Sequence, residues 1–309
     1  MNTTTPPTSP LKLSLGPILH FWSKEQVLSF YQQAATWPVD IIYLGETICA
    51  RRHEMRTDDW IVLAKELQAS GKEIVLSSQA LLESEIDLRR LRKLAEEPGF
   101  TLEANDLGAA KLARDQKKSF IIGTSLNVYN EETLAFFQQL GATRWVAPIE
   151  MTQKKIAAVM QNVSGIECEI FGWGNMPLAY SARCFTARHY NLRKDLCEFK
   201  CKEHPDGMLL KTRENEPFLT INGTQTMSAG NVAFIAHAQE LHDSGVHILR
   251  ISPQSQHMAE IVQIHSNVLQ GKLMPQEAME QLKPLACGAL VDGFWRGLAG
   301  AVEYNKATI

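Results

Sequence analysis

The fold class of this chain is decided by residues 101–147, which read TLEANDLGAAKLARDQKKSFIIGTSLNVYNEETLAFFQQLGATRWVA. Short apolar and β-branched runs at 101–104, 120–123 and 144–147 predict three strands. The two intervening stretches, 106–114 and 131–140, carry apolar residues at helical spacing, which predicts an amphipathic helix in each. Strand and helix therefore alternate, which is typical of a parallel sheet built from βα units.

The same alternation extends over most of the chain. It predicts eight strands in all, at 11–15, 41–44, 73–77, 101–104, 120–123, 144–147, 167–171 and 246–251. Further helices are predicted at 58–69, 81–96, 152–161, 231–242 and 258–269, and Ser23-Lys24-Glu25-Gln26 has the form of a capping box at the start of another. We therefore predict an α/β fold, a (β/α)8 TIM-type barrel. An open doubly wound sheet is the alternative, but no Gly-x-Gly-x-x-Gly follows the first strand.

Length and composition agree with one barrel domain. The chain has 309 residues, enough for a single barrel of about 250 residues with an insertion. Residues 1–10, MNTTTPPTSP, are polar and Pro-rich, so we predict a disordered tail followed by a barrel at 11–309. Without a secretory signal or a long apolar run, we expect a cytoplasmic protein and not a membrane protein. The formal net charge of -3 argues against stable nucleic-acid binding.

One interval breaks the regular spacing of strands and helices. Residues 172–245 separate the seventh predicted strand from the eighth and contain RCFTARHYNLRKDLCEFKC at 183–201. Function in a barrel gathers in the loops that follow the strands. We therefore predict that 173–230 is an insertion on the active-site face, and that its cysteines bind a cofactor.

The cysteine spacing indicates a metal site. Cys184, Cys197 and Cys201 lie close together, and Cys197 and Cys201 would share one face of a helix. Cys49 follows the second predicted strand, in a loop that opens on the same rim, and is the best candidate for a fourth ligand. Four thiolates suit a [4Fe–4S] cluster or a structural zinc ion. His204 could instead complete a Cys3His zinc site, and a chain without metal remains a further alternative.

The two other cysteines are expected to have a different role. Cys168 lies within the seventh predicted strand, and Cys287 lies in the small-residue run LACGALV. Buried free cysteines usually act as small hydrophobic residues. We expect both thiols to be buried and inert.

Polar residues at the ends of predicted strands form a second group of candidates. Glu103 and Arg250 are the leading catalytic or substrate-binding candidates, because such residues converge on one barrel mouth. The same reasoning applies to Glu46, Asn105, Asn127 and Glu150. Arg183 and Arg188 flank Cys184 and could stabilise a cluster as nearby cations. The alternatives are ordinary: helix caps for the acidic and amide residues, and solvated loop positions for the arginines.

Several motifs resemble one known family. Glu169-Ile-Phe171, Gly174 and Cys184 look like the signature of the collagenase-like peptidase family. Longer blocks resemble its UbiV branch, which belongs to oxygen-independent ubiquinone biosynthesis: SLGPILHFW, DIIYLGETICARR, SGKEIVLSSQALL, EANDLG, PLAYSARCFTARH, NGTQTMS, LRISPQ and GFWRGLAG. The wider family has a Cys where this chain has Pro177 and a Gly where it has Ala182, so substrate residues of other branches are not carried over.

The resemblance implies a specific function and cofactor. It implies an oxygen-sensitive [4Fe–4S] cluster on Cys49, Cys184, Cys197 and Cys201. It also implies a heterodimer with a homologous UbiU-type subunit, which acts with a UbiT-type lipid-binding accessory protein. The pair would hydroxylate the ubiquinone ring precursor without O2.

Three alternatives to this function remain open. One is a non-catalytic subunit that carries the cluster as a scaffold, and another is a tRNA- or rRNA-hydroxylating enzyme of the same family. The third is a zinc peptidase. It is not expected, because the chain has no Gly-x-Ser-x-Gly and no His-Glu-x-x-His.

Overall fold

The computed structural model describes residues 11–306, and the predicted tail at 1–10 lies outside this range. Twelve strands are present in the described chain. They are β1 (Lys12–Leu15), β2 (Ile41–Leu44), β3 (Glu73–Ser77), β4 (Thr101–Ala104), β5 (Phe120–Ile122), β6 (Ala142–Val146), β7 (Glu167–Tyr180), β8 (Met208–Lys211), β9 (Pro217–Asn222), β10 (Gln225–Ala233), β11 (Ile248–Ile251) and β12 (Leu290–Val291).

Eight of these strands close into a parallel barrel. Strands β1 to β7 pair with one another in chain order, and β11 pairs in parallel with both β7 and β1. In the closing register Leu13 lies opposite Leu249, and Ile248 lies opposite Glu169. The predicted (β/α)8 fold is confirmed, and the closed ring excludes an open doubly wound sheet.

The described chain has eleven helices, most of them on the outside of the barrel and one, residues 185–189, in the insertion above the mouth. They are α1 (Lys24–Ala34), α2 (Thr57–Leu67), α3 (Glu85–Glu96), α4 (Leu107–Asp115), α5 (Glu131–Gln139), α6 (Gln153–Asn162), α7 (Phe185–His189), α8 (Ala238–Asp243), α9 (Met258–Leu269), α10 (Pro275–Leu282) and α11 (Gly293–Arg296). None of the helices between residues 11 and 306 has the length and apolar character needed to span a membrane.

Side-chain caps determine where many of these helices begin. The predicted capping box is present at α1: Ser23 accepts from the Gln26 amide, and the Gln26 side chain accepts from the Ser23 amide. Asp106 and Thr152 cap α4 and α6 in a similar way. Such caps satisfy amide groups that the first helical turn leaves without a partner. The local sequence therefore determines where the helices after several barrel strands begin.

Strand β7 is longer than the sequence predicts. It runs past the barrel rim, where Tyr180 pairs with Gln225 of β10, and strands β9 and β8 extend this antiparallel sheet. At Gly174 the backbone has φ +122°, and a β-carbon there would lie 2.7 Å from the Ser252 β-carbon. Only glycine fits this close approach. The segment between the seventh and eighth barrel strands is thus a small sheet above the mouth.

The predicted helix at 231–242 is wrong in its first half. Asn231 and Val232 belong to β10 and pair with Asn175 and Gly174 on one side. On the other side they pair with β12. Ladder hydrogen bonds on both sides hold these residues as a strand, which overrides their helical spacing. The helix α8 begins only at Ala238.

The layer between strands and helices offers a direct test of packing. Phe137 of α5 is 4% exposed and packs against the Phe120 ring of β5, whereas neighbouring Phe136 is 54% exposed. We expect Phe137→Ala to lower the free energy of unfolding by about 3–5 kcal/mol, because it removes a buried ring and leaves a cavity. Phe136→Ala, the matched control, should cost less than about 1 kcal/mol. Urea denaturation measures both, and equal losses would contradict the assigned packing.

Candidate functional site

The structure brings four of the predicted ligands to one cavity. Cys49 lies in the loop after β2, Cys184 directly precedes α7, and Cys197 and Cys201 follow in the insertion. All four thiols line the same cavity. Among residues 11–306 no group of three His, Cys, Asp or Glu side chains is placed so that it could hold a single metal ion.

Cys197 and Cys201 do not share an α-helix. Cys197 ends the short 3-10 turn Lys194–Leu196, and Cys201 lies in the next turn, Lys200–Glu203. Between them Glu198 and Phe199 have φ values of 51° and 54°. This left-handed backbone turns the chain sharply, so both thiols reach the cavity from separate turns.

Two arginines that the sequence analysis missed also line this cavity. Arg52 is 4% exposed. Its Nη1 donates to the Leu19 carbonyl at 2.9 Å, and its Nη2 donates to Asn222 Oδ1 at 2.7 Å. Glu46 Oε1 lies 3.6 Å from the same Nη1. Arg51, its neighbour, donates from Nη2 to the Asp195 carbonyl at 2.7 Å.

Unused donors and the thiol environment fit an anionic group in this cavity. Within the described range, the buried Nε atoms of Arg51 and Arg52 have no hydrogen-bond partner. Burial raises the pKa of the Cys49 and Cys201 thiols, while the positive charge of Arg52 acts in the opposite direction. Three further cations, Arg51, Lys194 and Lys200, line the same cavity and add positive charge beside the thiols. Four cysteines with adjacent cationic donors are a set that can hold an iron–sulfur cluster.

The remaining predicted residues lie elsewhere. His204 Nε2 is 2.7 Å from Tyr190 Oη, so this ring nitrogen already has a partner other than the cysteines. Cys168 is fully buried, as expected. Cys287 is exposed, so the expectation of burial is wrong there. It lies in bends between a 3-10 turn and β12, where no helix or strand carries it into the core.

The arginines beside Cys184 are not the ones that line the cavity. Arg183 and Arg188 are exposed, whereas Arg51 and Arg52 belong to the lining. The sequence did contain a usable signal, because the run Cys-Ala-Arg-Arg starts at Cys49. Arg51 and Arg52 follow Cys49 by two and three residues, so they could have been proposed as cations near a thiolate in the same way as Arg183 and Arg188 beside Cys184.

Glu103 and Arg250 meet inside the barrel. Arg250 Nη1 lies 2.7 Å from Glu103 Oε1, and Arg250 Nε lies 2.7 Å from Glu169 Oε1. The guanidinium also stacks over the Tyr43 ring, 4.0 Å from its centroid. Ser77 Oγ donates to Glu103 at 2.6 Å. The two candidates thus belong to a buried network that fixes the Arg250 side chain.

This network forms the floor of a second cavity at the barrel mouth. Among residues 11–306, Arg250 Nη2 and Thr47 Oγ1 are buried without a hydrogen-bond partner, and both residues line the cavity. Phe171 and Tyr180 contribute aromatic walls, and Leu19 is also part of the lining. The cavity therefore combines apolar walls with unused polar groups, although its volume of about 30 Å³ leaves room for little more than a water molecule.

The other strand-end candidates have local partners. Asn105 lines the mouth cavity and donates from Nδ2 to the Ser78 carbonyl at 3.0 Å. Glu150 accepts from Tyr129 Oη at 3.0 Å, and Asn127 ends a 3-10 turn with left-handed backbone. Asn105 therefore belongs to the lining of the mouth cavity. Glu150 and Asn127 are not part of that lining, and their roles are a hydrogen bond and a turn near their own strands.

A layer of apolar side chains lies between the two cavities. Leu19, Ile48 and Met227 form a buried cluster, and Cys49 and Tyr180 pack against it. Tyr180 thus contacts the layer that also holds a cysteine of the first cavity, while its side chain lines the second. The four-cysteine centre is separated from the mouth cavity by a few side chains.

Fold and site together define a TIM-barrel protein with a four-cysteine centre above the barrel mouth. Comparison with known families identifies this class of protein more closely. The chain belongs to peptidase family U32, and the model of that family matches residues 25–299. It is 25% identical over 324 residues to tRNA hydroxylation protein P of Escherichia coli (strain K12), covering 85% of this chain and 71% of that protein. The protein of the same name from Haemophilus influenzae is 23% identical over 325 residues, with the same coverage.

The buried network at the mouth gives a second test. We expect Arg250→Met to lower the free energy of unfolding by about 3–5 kcal/mol, because Glu103 and Glu169 would lose their buried cation. Arg92→Met, which breaks the exposed pair with Glu85, is the control and should leave stability unchanged within error. Urea denaturation of both variants decides the matter, and a neutral Arg250→Met would show that the network contributes little.

Proposed function

We propose that this chain is the iron–sulfur subunit of an O2-independent hydroxylase. A [4Fe–4S] cluster would be held by Cys49, Cys184, Cys197 and Cys201. The observation that supports this best is the convergence of two distant loops on one cavity. They surround it with four thiols and with two arginine Nε groups that have no hydrogen-bond partner in the part of the chain that the structure describes. When bound, the cluster would supply electron transfer or activate the oxygen donor.

The proposed substrate is the ring of a ubiquinone precursor. The long blocks that resemble the UbiV branch support this choice, and so does the chemistry of the mouth cavity. Its Phe171 and Tyr180 walls would flank a planar ring once the cavity, about 30 Å³ in volume here, has widened to admit it. The Arg250 Nη2 and Thr47 Oγ1 groups could bond to oxygen substituents on that ring. Arg250 would orient the ring, since two carboxylates hold its other nitrogens in place.

The proposal includes partners and a location. The chain would pair with a homologous UbiU-type subunit and act with a UbiT-type lipid-binding protein, in the cytoplasm. A lipid carrier suits this substrate, because a ubiquinone precursor is apolar. A non-catalytic role, in which this chain carries the cluster and its partner performs the chemistry, remains the alternative within this proposal.

Hydroxylation of tRNA is the second candidate, supported by the names of the two relatives. The insertion carries basic residues that could contact phosphates: Arg188, Arg193, Lys194, Lys200 and Lys202. However, Lys194 pairs with Glu83, Lys200 with Glu203, and Lys202 with Glu54. Because carboxylates already neutralise three of the five cations, and the net charge is -3, we favour the quinone ring over RNA.

Cluster binding is tested by iron and sulfide analysis after anaerobic purification. We expect about four iron and four sulfide per wild-type chain with a broad visible absorbance, and loss of both in Cys49→Ala. Cys168→Ala is the matched control and should keep the cluster, because Cys168 is buried in β7, away from the cavity. Stoichiometric zinc without sulfide would refute the redox proposal.

The substrate is tested in cells that lack this chain and grow without O2. We expect ubiquinone to be lost there and retained in the presence of O2. The wild-type chain and Cys168→Ala should restore it, and Cys49→Ala should not, as measured by mass spectrometry of extracted quinones. Restoration by a cluster-free Cys49→Ala chain would favour the scaffold role. Unchanged ubiquinone with loss of a hydroxylated tRNA nucleoside would favour the second candidate.

A further inference from the structure

We infer that Arg51 and Arg52 are positioning residues for the cluster, and that their Nε–H groups donate hydrogen bonds to its sulfur atoms. The inference rests on the proposed function, because it requires the cluster to be present. On this inference the cations that adjust the reduction potential of the cluster are Arg51 and Arg52, and not Arg183 and Arg188. Its basis is the position of two consecutive guanidinium groups at the wall of the four-cysteine cavity.

Arg52 is held rigidly at its two terminal nitrogens, while its Nε–H group is unused in the described chain. Its two terminal nitrogens are occupied by the Leu19 carbonyl and Asn222 Oδ1. The ring of Phe21 lies 5.4 Å from the guanidinium carbon. With both ends fixed, the orientation of the Nε–H bond is also fixed. Within residues 11–306 this buried Nε has no partner, while the guanidinium lies beside the Cys201 thiol and opposes the rise that burial causes in its pKa. A buried donor without a partner costs free energy, so a sulfur acceptor at the cavity would remove that cost.

Arg51 reaches the cavity from the same loop but ties a different segment. Its Nη1 is 3.4 Å from Asp195 Oδ1, and its Nη2 bonds to the Asp195 carbonyl. Asp195 belongs to the 3-10 turn that precedes Cys197. Arg51 therefore connects the loop of Cys49 with the loop of Cys197, and its buried Nε is again without a partner in the described chain.

The physical consequence concerns the reduction potential. One-electron reduction makes the cluster and its thiolates more negative, so nearby positive charge and hydrogen bonds to sulfur stabilise the reduced form. Two guanidinium groups at the cavity wall should therefore raise the potential. Arg183 and Arg188 are exposed, and solvent screens their charge.

The test compares midpoint potentials of anaerobically purified holoprotein. Dithionite supplies the electron, dyes mediate the titration, and electron paramagnetic resonance follows the reduced cluster. Arg51→Gln should move the midpoint to more negative values by about 59 mV, a tenfold change for a one-electron couple. Arg52→Lys should shift it in the same direction, because lysine keeps the charge but has no Nε–H of that geometry. Arg188→Gln is the matched control and should stay close to wild type.

The outcomes separate this inference from the proposed function. If both variants keep full iron content and titrate at the wild-type potential, the inference is wrong while the cluster remains. Loss of iron from Arg51→Gln at an unchanged melting temperature supports it, since the fold then survives without the hydrogen bond that holds the cluster. A wild-type chain that contains no iron or sulfide overturns both the inference and the proposed function.

Discussion

Parallel pairing of β11 with both β7 and β1 closes the barrel, and the candidate site depends on this closure. Around the closed side, β2 is three strands from β7, whereas it is five strands away along the rest of the sheet. At about 4.8 Å between neighbouring strands, that difference is close to 10 Å. Closure therefore brings the loop that carries Cys49 under the insertion that follows β7, although the two segments are far apart in the chain.

Arg52 then fixes the insertion in place over the mouth. A buried guanidinium needs partners for its charge and its N–H groups, and it finds them on three different segments. Leu19 belongs to the loop after β1, Glu46 to the loop after β2, and Asn222 to the end of β9. Thr224 adds a hydrogen bond from its hydroxyl to the Ile48 carbonyl at 3.0 Å. The four-cysteine cavity is thus enclosed by loops that a single buried charge holds together.

Local signals account for the parts that could be predicted from the sequence. Strands β2, β3 and β4 have the predicted bounds, and α9 does as well, because apolar periodicity is a property of the segment itself. The four cysteines could be selected because all follow barrel strands on one rim. The sheet formed by β8, β9 and β10 could not, since its pairing is non-local and its strands are partly exposed. The contact of Arg52 with Asn222 depends on that sheet, so the run Cys-Ala-Arg-Arg could indicate a cation near Cys49 but not this partner.

The cysteines and the charged floor of the mouth cavity come from different parts of the fold, although Thr47 and Tyr180 of the mouth cavity belong to the segments that carry the cysteines. Cys49, Cys184 and their partners come from loops and the insertion, whereas Glu103 and Arg250 project from barrel strands. The layer of Leu19, Ile48 and Met227 lies between the four-cysteine cavity and the mouth cavity. Substitutions on the barrel strands, at Glu103 or Arg250, can therefore alter the floor of the mouth without contacting the cysteines. The similarity to proteins named for tRNA hydroxylation therefore does not by itself assign RNA as the substrate of this chain, because a fold does not dictate the substrate.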